Sequence, residues 1–271
     1  MKKYHLLALI LLGLFLGLYV SGKTRAFSIN KPQEAKQFEG FQQIIQDGLL
    51  LLRERKDNVA LIIFEKILIT QPQNLDALWG KAEVLRRRYQ FKEAEELLNK
   101  ILKVNPNYPA ALNSLAYIKY REGKLGVALK IINRILKIKS LDRENQALAY
   151  LTLGAINSWR ATHGWPINKI QYGTQIKCYF QRAKEICPEL AETHLGLGTF
   201  FLKAPAIVGG NIDNAIKELE LAIKIAPNFA AVNARLAQAY QKIGLEDEFK
   251  YYLIKAKNLD PQNEVLKEII E

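Results

Sequence analysis

Three histidines, two cysteines and a run of three arginines are the residues of this chain best equipped to hold a metal, exchange electrons or grip phosphate. Their spacing argues against each role. His5 stands in an apolar N-terminal run, His163 in a segment with Trp and Pro, and His194 at a packing position; with two dispersed cysteines they lack ligand spacing. Cys178 and Cys187, nine residues apart on one expected helix, fall on roughly opposite faces about 13 Å apart along its axis. A disulfide needs Cα atoms within about 7 Å, so both are expected as small buried hydrophobes. Arg86, Arg87 and Arg88 could meet phosphate or lipid, but at a helix end they complement the C-terminal dipole. Gly209 and Gly210 before Asn211 form a turn of the kind that can bind anions; Asp213 would repel one, and Asn211 is read as an N-cap. There is no Gly-rich phosphate loop, nucleophile elbow or paired-acid motif. We expect no catalytic residue, no metal and no cofactor, and therefore no enzyme. Catalysis would need His163 and Tyr172 to meet an acid across the fold, which nothing in their spacing suggests.

The elements that carry these residues recur. Pro72 and Pro106 are 34 residues apart, as are Pro227 and Pro261. Twenty-four residues before three of these prolines stand Gly48, Ala82 and Ala237, and Ala116, Gly154 and Gly198 take the same role in the intervening units. Side chains this small let one helix press against the next. Twelve residues further on come Ala60, Ala94 and Ala128, with Ala215 equivalent in the fifth unit, small enough for adjacent hairpins to touch. With 49% hydrophobic and 24% charged residues, the composition suits a helical protein, and the fixed period makes the 271 residues one elongated array.

The units carry a pattern of aromatic, Leu-Gly, Tyr, Ala, Phe, Ala and Pro, met piecewise. The fourth has Tyr150, Leu153, Gly154, Phe180, Ala183 and Pro188; the fifth Leu197, Gly198, Phe201, Ala215, Ala222 and Pro227; the sixth Leu236, Ala237, Tyr240, Ala256 and Pro261. In this the chain resembles tetratricopeptide-repeat (TPR) proteins over residues 41–261. The resemblance implies an all-α fold: a right-handed α-solenoid of about six TPR hairpins, with a longer insertion in the fourth unit (160–173) and a shorter one in the fifth (203–210). The expected organisation is a leader at 1–26, a linker at 27–40, units one to three at 41–140, units four to six at 141–261 and a capping helix at 262–271. Ile67, Ile101 and Ile135 stand where later units have Ala183, Ala222 and Ala256, and Ser140 stands where proline belongs. Two sub-stacks meeting near 140–145 are expected from these departures.

In TPR arrays the first helix of each unit lines a concave groove. Projected onto this sequence, the groove set is Trp79, Arg86, Asn113, Tyr117, Tyr120, Arg121 and Trp159. Aromatics beside arginine and asparagine suit peptide recognition, offering rigid apolar area and forked donors for carboxylates and main-chain carbonyls. The alternative is that several of these aromatics pack between hairpins. The carboxylate clamp of chaperone-tail binders is not reproduced, because Ile45 and Leu49 stand where its lysine and asparagine belong.

Lys2 and Lys3 precede a charge-free apolar run at 6–20, the pattern of a secretory signal; residues 4–22 are also close to the roughly 20 needed to span a bilayer. Cleavage and an uncleaved anchor both remain open, and either places the body outside the cytoplasm, periplasmic or membrane-anchored. The net charge is +12; without Lys2, Lys3, Lys23 and Arg25 there are 35 basic residues against 27 acidic, a net +8, which favours acidic partners. Basic and acidic residues alternate along the helices, so nucleic acid is not expected. The expected function is a non-enzymatic TPR scaffold that binds a protein or peptide partner through its groove. A second expectation follows from a likeness of the segment APAIVGGN, at 204–211, to the T-component proteins that accompany TRAP-type transporters. It implies a periplasmic protein assisting transfer of a small ligand.

Overall fold

The computed structural model describes residues 31–164 and 166–270. Among them are thirteen α-helices, one short 3-10 turn and no strand. In chain order the helices are α1 (Lys31–Arg53), α2 (Asp57–Thr70), α3 (Leu75–Arg87), α4 (Phe91–Val104), α5 (Pro109–Arg121), α6 (Leu125–Ile135), α7 (Arg143–His163), α8 (Pro166–Ile186), α9 (Ala191–Lys203), α10 (Ile212–Ile225), α11 (Ala230–Lys242), α12 (Glu246–Leu259) and α13 (Glu264–Ile270). The chain divides into two compact units. Residues 31–43 of the first are the opening turns of α1, and the second, Ile44–Glu271, holds the hairpins. The leader expected at 1–26 lies outside the described residues. Part of the expected linker is helix: α1 starts at Lys31, with Pro32 in its first turn, where a missing N–H costs nothing, and Gln, Glu, Ala and Lys following.

From α3 to α12 each odd helix pairs with the even helix after it, and successive odd helices from α3 to α13 touch one another, forming the inner layer of a solenoid. The small residues sit where this packing is tightest. A Cβ on Gly154 would lie 2.3 Å from the Phe180 ring, on Gly198 2.7 Å from Leu219, and on Gly48 2.9 Å from Phe64. Ala82, Ala116 and Ala237 are fully buried at the same position of their units, as are Ala60, Ala94, Ala128 and Ala215 at the second. Ile67, Ile101 and Ile135 are as buried as Ala183, Ala222 and Ala256, so this position is interior in all six units whichever side chain fills it.

Two turn types repeat with the period. Between units, proline takes the second position of a turn closed by a backbone hydrogen bond: Asn74 N–H to Gln71 C=O at 3.0 Å, Tyr108 to Asn105 at 3.1 Å, Phe229 to Ala226 at 3.1 Å and Asn263 to Asp260 at 3.1 Å. After unit three, where Ser140 replaces proline, α6 instead unwinds through Lys137 N–H to Arg134 C=O and Ile138 N–H to Ile135 C=O. Asp142 then caps α7 by accepting from Asn145 N–H. Within hairpins, one residue adopts left-handed backbone: Arg55 (φ 60°), Tyr89 (φ 62°), Gly123 (φ 74°) and Gly244 (φ 75°). At each, the next N–H reaches back to the helix, as Lys56 does to Leu51 C=O, Gln90 to Leu85, Lys124 to Lys119 and Leu245 to Tyr240. Glycine fits this corner freely; arginine and tyrosine do not.

The insertions take different forms. That of unit four is not a loop between helices of ordinary length: α7 and α8 each run 21 residues and extend the hairpin outward as helix. In unit five, 204–211 forms a short 3-10 turn at Ala206–Val208, left-handed Gly209 (φ 100°) and a close approach in which a Cβ on Gly210 would meet Ala204 O at 1.8 Å. Asn211 accepts from Asn214 N–H and caps α10.

Candidate functional site

The ends of α3 and α5 and the turn into α4 bring an acid, three arginines and three aromatic rings together on the inner layer. Glu83, buried on α3, accepts from Arg86 Nε (2.8 Å) and Nη2 (2.5 Å), from Arg87 Nε (2.9 Å) and from Ser114 Oγ (3.0 Å). Arg87 Nη1 also donates to Asp57 Oδ1 (2.7 Å) and to Leu52 C=O (2.8 Å). It thereby satisfies a carbonyl at the end of α1, the neighbouring inner helix. Burial would raise the Glu83 pKa, but the two guanidiniums outweigh it and hold the carboxyl well below the usual carboxylate range. The same burial would lower Arg86 and Arg87, yet Glu83 outweighs it and both are raised. Arg86 and Arg87 lie in the last turn of α3, as the dipole reading expects, and the run does more than complement that dipole. It ties α1, α2 and α3 together, Arg88 adding a 2.6 Å bond to Asn58 Oδ1.

Arg86 lies over the Tyr117 ring at 4.4 Å, and Arg121 donates to Tyr117 Oη at 3.0 Å with its guanidinium within 6 Å of the Tyr89, Phe91 and Tyr117 ring centres. Such pairs contribute about 0.5–2 kcal/mol each, depending on desolvation. Of the groove set, Arg86, Tyr117 and Arg121 thus form one constellation. Trp79 is half-buried beside it and donates from Nε1 to Ser114 Oγ at 3.2 Å. Asn113 is buried between units and donates to Asn145 Oδ1 (2.9 Å) and Asn145 C=O (3.0 Å). Tyr120 packs against the core between α5 and α7. Trp159 is exposed and stacks on His163 at 4.6 Å, in the extended part of α7. Asn113 and Tyr120 therefore serve the contact between hairpins.

What faces this constellation comes from the far end of the array, beyond the reach of any repeat spacing. Arg55, at the left-handed corner after α1, pairs with Glu192 in the first turn of α9 and lies 3.6 Å over the Phe229 ring. Asn228 Nδ2 donates to Glu54 C=O at 3.4 Å, Tyr89 Oη donates to Asp260 Oδ2 at 3.0 Å, and Arg121 pairs with Glu264 in the first turn of α13. Partners 137 to 174 residues apart meet, so the curvature brings the C-terminal ends of the early inner helices onto the starts of the late ones. Each charge also complements its own helix dipole: arginine at the ends of α1 and α5, glutamate at the starts of α9 and α13. Burial and the neighbouring Arg87 lower Arg55 to about 10 despite Glu192, so the ion pair does not fully offset desolvation.

Elsewhere, His194 is buried, with Nδ1 2.7 Å from Glu218 Oε2 and Nε2 2.8 Å from Pro188 C=O, at the junction of α8, α9 and α10. Cys187 is buried as expected, in the turn just past α8, but Cys178 is exposed on that helix, a correction to the expectation that both are buried. Among the described residues no group of three His, Cys, Asp or Glu could hold a metal ion, and no helix is long and apolar enough to cross a membrane.

A solenoid of helical hairpins belongs to the repeat architectures, whose surfaces are built by stacking one unit on the next. TPR family profiles match residues 51–115, 209–229 and 230–263. The chain is a TPR array. It is 33% identical to the protein CTR9 homolog of Arabidopsis thaliana over 110 residues, 40% of this chain and 10% of that protein. It is also 33% identical to a TPR repeat-containing protein of Pseudomonas aeruginosa, PA4667, over 122 residues, 40% of this chain and 20% of the relative. The chain thus spans a tenth to a fifth of the length of these curated relatives. The human IFIT1 dimer solved with m7Gppp-AAAA shares the fold alone, at 20% identity and a TM-score of 0.58 over 84% of this chain and 52% of that one.

Proposed function

We propose that this array is a non-enzymatic scaffold that captures a segment of another protein on its inner face, on the exported side of a membrane. The observation that carries the reading is the Arg86–Tyr117–Arg121 constellation, in which two guanidiniums are oriented by one aromatic ring and by the hydrogen bond of Arg121 to its hydroxyl. Rigid aromatic area beside forked donors recognises carboxylates and main-chain carbonyls with little loss of side-chain freedom, and the packed helices need little ordering on binding. The apolar run at 6–20 behind Lys2 and Lys3 supports export.

The test is affinity capture from membrane and periplasmic fractions with the full chain and with a Tyr117→Ala/Arg121→Ala variant, alongside mass measurement of the mature N-terminus. The expected result is a protein retained by the parent and lost from the variant at unchanged helicity. Equal capture by both would remove this face as the binding surface, and a protein found only in the cytoplasm would remove export.

A further inference from the structure

We propose that the inner face is held shut by an internal clasp, Arg55 to Glu192 and Arg121 to Glu264, and that the partner segment is acidic, its carboxylates taking both arginines from their internal partners. This rests on the scaffold reading above and names the chemistry of the partner.

The first observation is the corner. Of the five hairpins that turn through left-handed backbone, three use glycine, at Gly123, Gly209 and Gly244, and a glycine presents no side chain to the far end of the array. The other two place Arg55 and Tyr89 in the conformation that side chains disfavour, and both reach across, to Glu192 and Phe229 and to Asp260. Non-glycine residues keep such backbone where their surroundings over-determine it, and the surroundings here are the far end of the array.

The second observation is the asymmetry of the two sides. On the early side the guanidiniums are set among rings: Arg86 over Tyr117, and Arg121 among Tyr89, Phe91 and Tyr117. On the late side Glu192, Asp260 and Glu264 are separate carboxylates at three helix starts or turns, Glu264 being more than half exposed. The organised half is cationic. A segment carrying several carboxylates can therefore do at once what three isolated acids do now, and mass action lets it replace them.

The third is that the joint is weak enough to open. Glu192 and Glu264 retain solvent contact, and Arg53 to Glu144, 2.5 Å apart at the edge, is an exposed pair. Salt screens the exposed Arg53 pair over about 10 Å at 0.1 M and the clasp pairs less, their arginines being 11% and 18% exposed.

The experiment uses the full chain in a Cys178→Ser background, Cys187 being buried, with spin labels at Lys56→Cys and Lys224→Cys and decaglutamate as the probe. The parent should give one short distance; E192Q should add a longer one, and decaglutamate should produce that longer distance in the parent. Decaglutamate should bind E192Q at least about fivefold more tightly than the parent, while E189Q, which removes an equal charge outside the clasp, should bind like the parent. R55G keeps the corner, since glycine fits it, and should open the distance while weakening decaglutamate. A distance unchanged in both E192Q and R55G overturns the clasp. A distance that opens in E192Q with no binding of decaglutamate leaves the clasp standing and overturns the acidic occupant. Equal tightening by E189Q and E192Q overturns the competition.

Discussion

Gly154 and the Phe180 ring are so close that a methyl group on the glycine would overlap the ring by more than an ångström, its Cβ falling 2.3 Å from Cε1. The contact fixes the spacing of α7 and α8 near the middle of their 21-residue lengths. Gly154→Ala should lower stability by about 1–3 kcal/mol, the usual cost of overpacking. Gly126→Ala, in α6 with nothing within 4 Å of the added carbon, should be neutral or stabilise by about 0.5–1 kcal/mol. Urea midpoints of the two variants check this; equal effects would mean that glycine at 154 serves only backbone freedom.

That contact was legible before any coordinates, and the clasp was not, for one physical reason. Glycine or alanine 24 residues ahead of a turn reports a collision between two helices of one hairpin, and the report is repeated in every unit. Arg55 and Glu192 are 137 positions apart and meet only because small rotations between hairpins accumulate. No period links them. Projection onto a concave face grouped Arg86, Tyr117 and Arg121, which touch one another, with Asn113 and Tyr120, which pack between units, because spacing along a helix does not distinguish the two environments. The fourth-unit insertion was visible as extra length. Its form was not, because residues 160–173 contain Gly164 and Pro166, and the short link they make joins helices that continue the hairpin on either side.

The two thiols should titrate separately. Cys178 is exposed on α8, whereas Cys187 is buried and its thiol is pushed up to about 12, by desolvation and then by Glu189. One equivalent of a thiol reagent should react within minutes at pH 8 in the native chain, and the second only in denaturant; Cys178→Ser should abolish the fast phase. Two fast equivalents would mean that the turn at Cys187 opens readily.

Stability should fall on acidification, because carboxylates here are held low. Burial would raise Glu268, but hydrogen bonds and charge from Arg235 and Lys203 outweigh it and bring it to about 2, from an ordinary value of 4.5. A depressed carboxylate adds stability that is complete above pH 4.5 and is lost as pH falls toward 2. Glu268 is 42% exposed, so its share after solvent screening is about 0–1 kcal/mol. Glu83, lowered further and better buried, extends the loss to lower pH. Denaturation midpoints measured from pH 6 to pH 2 should decline through this window, with a shallower slope in E268Q and in 1 M salt. A flat profile would count against both sites.

Glu83 is where one substitution should separate structure from recognition. It accepts from Arg86, Arg87 and Ser114, and through Arg87 it is coupled to Asp57 and to the end of α1. Glu83→Gln keeps the shape but leaves Arg86 and Arg87 side by side with half the acceptors, Arg87 still paired with Asp57 and Arg86 without its carboxylate. Removing one partner of a fully buried pair costs about 3–5 kcal/mol; the residual exposure of both arginines brings this to about 2–3 kcal/mol. Adding Arg86→Met should recover part of that loss, since it removes the arginine left without its carboxylate, and the double-mutant cycle should show coupling above about 1 kcal/mol. Arg86→Met alone takes a guanidinium from Tyr117 while Arg87 still satisfies Glu83, so it should weaken partner capture more than it weakens the fold. If Arg86→Met instead destabilises as much as Glu83→Gln with capture intact, Arg86 is structural and the recognition surface lies elsewhere on the array.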